Sequence, residues 1–129
     1  MQSSSENGIK LPDGRTVSVL DVIGFIYGLT NRDIEILSMI LNSNTPLSME
    51  DISQRLGITK SVVNKSILNL EKKGLIIKEK TEMPKKGRRT YLYKADPQYL
   101  SKKIINDIDQ LTNVMKSKII IVTGLKIEK

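Results

Sequence analysis

Two short stretches hold the residue types from which chemistry could be built. The first is Thr59-Lys60-Ser61-Val62-Val63-Asn64-Lys65, in which hydroxyls, a side-chain amide and two ammonium groups recur within two helical turns. The second is Lys85-Lys86-Gly87-Arg88-Arg89, four cations around one glycine. Both suit a polyanion. Ammonium and guanidinium groups neutralise phosphates, a side-chain amide can pair with adenine N6 and N7, and lysines serve either guanine edges or phosphates. From Thr59 to Lys94 there are eleven cations and three acids, a local charge of +8, whereas the whole chain carries +7. The charge surplus is therefore confined to 36 consecutive residues, where like charges add to one field. Double-stranded DNA is the expected partner.

Other chemistries are poorly supplied. With no Cys and no His, thiol nucleophiles, imidazole acid/base catalysis, disulfides and Cys/His zinc sites are excluded. The paired acids Glu50-Asp51 and Asp107/Asp109 fall on polar helix positions with no Gly-rich phosphate loop nearby. We expect no enzyme, no metal and no cofactor. Aromatic content of 4% is too low for stacking single-stranded bases. At 129 residues and 39% hydrophobic content the chain has enough for one modest core. Met1 to Lys10 does not read as a leader, and the longest aliphatic run, Ile119 to Val122, is too short to span a bilayer. The expectation is a soluble, cytoplasmic, nucleoid-associated protein with no membrane partner and an unassigned small-molecule effector.

The elements that must position these residues are marked by local punctuation. Residues 1–8 are polar and are expected to be flexible. Ile9 to Leu11 and Thr16 to Val19 flank Pro12-Asp13-Gly14-Arg15 as a small hairpin, and Ser18 caps a helix from Val19 to Tyr27 stopped by Gly28. Thr30 with Asp33 resembles a capping box and opens a helix with Ile34, Leu37, Ile40 and Leu41 inward. Ser48 with Asp51 repeats the signature for a short helix ending at Gly57. Thr59 caps a third helix, Lys60 to Lys73, whose core stripe is Val63, Ile67 and Leu70 and which stops at Gly74. The period then changes to extended, Leu75 to Thr81 and Thr90 to Ala95, with the basic loop between. Asp96-Pro97 begins a last helix with the stripe Leu100, Ile104, Ile108, Leu111, Met115, Ile119 and Val122, seven positions that advance about 3.67 residues per step. The β-branched run Ile119 to Thr123 leaves its end open.

Helix, helix, Gly-containing turn, helix, strand, basic loop, strand is the order of a winged helix-turn-helix, in an α+β, mainly α, chain with a long C-terminal dimerisation helix. Residues 9–95 would be the DNA-binding domain and 96–129 the dimerisation helix. The third helix would read the major groove with Thr59, Lys60, Ser61, Asn64 and Lys65, the helix starting at Ser48 would face the backbone, and Lys85, Lys86, Arg88 and Arg89 would reach the minor groove. The seven-residue stripe would pair two subunits.

The run Leu56-Gly57-Ile58-Thr59-Lys60-Ser61-Val62-Val63-Asn64-Lys65-Ser66-Ile67-Leu68-Asn69-Leu70-Glu71-Lys72-Lys73-Gly74-Leu75-Ile76 resembles the signature of the MarR, TrmB and archaeal Lrs-like winged-helix regulators. The resemblance spans about Thr30 to Ala95 and is most similar to the small Lrs-like group. It implies a homodimeric DNA-binding transcription regulator. Asn64 stands where TrmB-like proteins often carry an aromatic residue, and there is no room after Ala95 for a TrmB-type sugar-binding domain. Two alternatives share the basic footprint or the fold: an architectural chromatin protein of low specificity, and a winged-helix protein-interaction module. The local +8 argues against the second.

Overall fold

The computed structural model describes residues 4–81 and 90–125. The order of elements is α1 (Ser4–Asn7), β1 (Gly8–Lys10), β2 (Thr16–Ser18), α2 (Val19–Tyr27), α3 (Asn31–Asn42), α4 (Met49–Leu56), α5 (Lys60–Lys72), β3 (Ile77–Lys80), β4 (Tyr91–Lys94) and α6 (Pro97–Thr123). The chain divides into two compact units, residues 1–96 and 97–129.

Within the first unit the caps act as the spacing requires. The Thr30 hydroxyl accepts from the Asp33 amide at 3.0 Å while the Asp33 carboxylate accepts from the Thr30 amide, and Ser48 and Asp51 form the same reciprocal pair before α4. Each box satisfies two amide donors that a helix start otherwise leaves unpaired. Gly57, at φ 66° and ψ 36°, takes the left-handed conformation that ends α4. Ile58 then donates to the Ser53 carbonyl, so only Gly57, Ile58 and Thr59 separate α4 from α5.

The core lies where α3, α4 and α5 meet the sheet. Ile36, Leu37, Ile40, Leu47, Ile52, Val63, Ile67, Leu70, Leu75, Ile76 and Tyr93 are buried. The inward face of α3 departs from the expected one: Ile36 is fully buried, whereas Ile34 and Leu41 are only half-buried. Packing on two sides of α3 draws in the residue next to the expected stripe. Leu75 and Ile76 are core residues that precede β3 rather than belonging to it, because the chain leaves α5 through Gly74 (φ 76°) with Leu75 donating back to the Leu70 carbonyl.

β3 and β4 are antiparallel, with Ile77 opposite Lys94 and Lys80 opposite Tyr91. A third extended piece was not foreseen. Leu47 bridges Tyr93 through two backbone hydrogen bonds, 2.9 and 2.7 Å, tying the α3–α4 connection to β4. β1 and β2 form a separate hairpin, with Gly8 already paired to Ser18 and one helical turn, α1, before it.

The second unit is the helix α6, 27 residues and about 40 Å long at 1.5 Å per residue. It runs through the β-branched segment to Thr123. There Gly124, at φ 74°, closes it, and Leu125 donates to the Ile120 carbonyl.

Candidate nucleic-acid interface

α5 is two-faced because its apolar residues recur at three and four. Val63, Ile67 and Leu70 have no exposed surface, and Thr59, Lys60, Ser61, Asn64 and Lys65 all lie exposed. Val62 and Leu68, at 40% and 56% exposure, share that outer surface. Thr59 has a structural role as well, since its hydroxyl accepts from the Val62 amide and lies 3.1 Å from the Ser61 hydroxyl. Each oxygen can still engage an outside partner.

Three elements converge beside the start of α5. Ser48, Met49 and Glu50 of the α4 start, Lys60 of α5, Thr90 just before β4, and Tyr91 and Tyr93 of β4 line one concavity of about 270 Å³. Ser48 thereby shares this concavity with Lys60, although its hydroxyl also serves the α4 cap. On the wing, Lys78 stacks its ammonium 4.1 Å from the Tyr91 ring centre, and Glu79 pairs with Lys94. Lys78, Lys80 and Lys94 are exposed. Lys85, Lys86, Arg88 and Arg89, the expected wing cations, lie outside the described residues.

A polar cluster behind α5 was missed by reading the sequence. Asp33 is buried at 4% exposure, and besides its cap it accepts from the Asn69 amide at 2.8 Å. Ser66, also buried, lies beside the same carboxylate and helps to hold its proton affinity down. Burial alone would push the Asp33 carboxyl up, but Ser66 and the bonds from Thr30 and Asn69 outweigh it and hold the group below its ordinary value. The sequence signal was the capping box itself, which was read as purely local.

On α6, Leu100 is buried and Ile104 and Ile108 are half-buried. Leu111, Met115, Ile119 and Val122 are 41%, 52%, 51% and 84% exposed. α2 is almost wholly apolar, yet only Ile23 and Gly24 are buried and Phe25 is 88% exposed. Among the described residues no group of acids is arranged to hold a metal ion, and no helix is long and apolar enough to cross a membrane.

Comparison with known proteins agrees with this geometry. The family model described as MarR family matches residues 27–89. An uncharacterized protein of Methanocaldococcus jannaschii is 30% identical over 92 residues, which is 70% of this chain and 68% of that protein. Among solved structures, one titled as a possible transcriptional regulator from Methanosarcina mazei superimposes with a TM-score of 0.73 at 19% identity, covering 87% of this chain and 93% of that one. A protein from the archaeon Sulfolobus tokodaii gives 0.63 at 23% identity, covering 76% and 91%. The Staphylococcus aureus MepR–DNA complex gives 0.53 at 19% identity, covering 82% and 88%. With the winged helix-turn-helix fold and the family match over residues 27–89, the chain belongs to the MarR family.

Proposed function

We propose that this chain is a homodimeric transcription regulator that binds double-stranded DNA at specific sequences in the cytoplasm. The observation that carries the reading is the division of α5, with Val63, Ile67 and Leu70 sealed in the core and Thr59, Lys60, Ser61, Asn64 and Lys65 turned outward. Family membership and the likeness to a protein solved on DNA support it. Asn64 is the base reader, through bidentate pairing with adenine, and Lys60 and Lys65 serve guanine edges or phosphates. Ser48 and the α4 amides hold the DNA backbone. Lys85, Lys86, Arg88 and Arg89 supply minor-groove and phosphate contacts from the wing.

Dimerisation follows from the apolar surface left on single chains. The exposed α6 residues Leu111, Met115, Ile119 and Val122 leave apolar surface of a kind that soluble proteins normally cover. A second copy is the occupant, with the half-buried Ile104 and Ile108 continuing the seam toward the start of the helix; Leu100, expected in that seam, is instead buried within the single chain and drops out of it. Two-fold pairing presents two reader helices to successive major grooves and implies an inverted repeat with half-sites about 10 bp apart or a multiple of that. Selection of bound fragments from a random duplex pool tests the function. Enrichment of such a repeat is expected, and uniform coating of unselected DNA would instead favour an architectural role.

A further inference from the structure

We propose that Asp33 is a positioning residue for base reading: its carboxylate fixes the rotation of α5 about its own axis and so aims Asn64. This rests on the reading of α5 as the DNA-reading helix. Three helical features meet at that carboxylate. Its Oδ2 accepts from the Thr30 amide at 3.0 Å, which anchors it to the first turn of α3. The same oxygen accepts from the Asn69 Nδ2 at 2.8 Å, and the buried Ser66, one turn earlier on α5, lines the same cleft as the carboxylate. Ser66 and Asn69 are three residues apart, so they lie along one edge of the helix.

That edge borders the reading surface. A cleft of about 390 Å³ is lined by Asp33, Ser66 and Asn69 together with Val62 and Lys65 of the outer face. The apolar stripe of Val63, Ile67 and Leu70 fixes how deeply α5 sits, but aliphatic contacts are non-directional and tolerate small rotations. Hydrogen bonds do not, since they weaken steeply with angle. A rotation of about 20° moves a side-chain tip about 6 Å from the axis by about 2 Å, enough to break a bidentate contact with a base. An ion buried at a helix joint is a weak device for stability, because a well-packed apolar group would serve as well. As an aiming device it has what aliphatic residues lack, which is direction.

The test uses the full chain and two probes, the duplex most enriched from a random pool and an unselected random duplex, both below the melting temperature of every variant. Asn64→Ala should reduce the preference for the enriched duplex by about tenfold or more. Asp33→Asn and Asn69→Ala should reduce the same preference by a similar factor, with binding to the random duplex changed by less than about twofold. Asn64→Ala should then add nothing in the Asp33→Asn background, because the amide is already misaimed. The exchanged pair Asp33→Asn with Asn69→Asp restores an amide–carboxylate bond and should recover the preference. Asn69→Ala leaves the Thr30 cap intact and decides the matter if Asp33→Asn does not fold. Full preference retained in Asn69→Ala, or equal losses on both duplexes, would overturn the inference and leave Asn64 as the reader. An Asn64→Ala variant with undiminished preference would overturn the reading of α5, and this inference with it.

Discussion

Leu111→Asp is a perturbation whose size depends almost entirely on whether α6 has a partner. In a single chain Leu111 is 41% exposed, so a carboxylate there can reach water and folding stability should change by no more than about 0.5 kcal/mol. In a two-fold seam the same position is covered twice. Leu111, Met115, Ile119 and Val122 average about half exposed, and covering them contributes roughly 1 kcal/mol each by apolar area, or about 8 kcal/mol for both copies before the cost of association. Placing two unpaired carboxylates in that seam removes several kcal/mol. The dimer should weaken by at least about 3 kcal/mol, more than a hundredfold in dissociation constant. Sedimentation equilibrium reads this directly, with circular dichroism melts confirming that the variant folds. Ile108→Asp should also yield monomers, but its half-buried position means that its melt should fall too. A wild-type monomer at concentrations on the order of tens of micromolar, or an unchanged dimer in both variants, would refute the helix-pairing argument.

Replacing Arg88 and Arg89 by Ala should weaken binding to all duplexes alike and flatten the salt dependence by roughly one unit of slope per lost phosphate contact, which titration over a salt series measures. Gly57→Ala should cost about 1 kcal/mol in denaturant unfolding through left-handed backbone strain alone, since nothing lies within 4 Å of the added Cβ. The Asp33 carboxyl is held below its ordinary value in the folded chain, so its contribution is complete above the unfolded carboxylate value and is lost as pH falls through the folded one. Asp33→Asn should therefore destabilise at neutral pH and make the acid limb of a melting-temperature profile shallower. An acid limb identical to wild type would refute that assignment.

What could be read from the sequence was what local hydrogen bonding decides. Ser18, Thr30, Ser48 and Thr59 cap the helices that their spacing announced, and Gly28 and Gly57 end α2 and α4 in left-handed conformations. Each depends on partners within a few residues. The outer face of α5 was legible for the same reason, because the positions of Val63, Ile67 and Leu70 leave only one direction for Asn64 and Lys65. Contacts between distant residues were not legible. Leu47 pairs with Tyr93 across 46 positions, and Asp33 meets Asn69 across 36, with no pattern at either end to announce it. Asp33 was hidden by its own cap, which gave the residue a sufficient local explanation. The end of α6 also escaped, since β-branched residues lower helix preference without forbidding it and Gly124 makes the stop.

Whether α5 reads base sequence is decided by competition binding of wild type and Asn64→Ala against two duplexes, the one most enriched from a random pool and an unselected one. Wild type should prefer the enriched duplex, and Asn64→Ala should lose about 1 to 3 kcal/mol on it and almost nothing on the other. Equal affinity of wild type for both duplexes, or equal losses on both in the variant, would contradict base reading by α5.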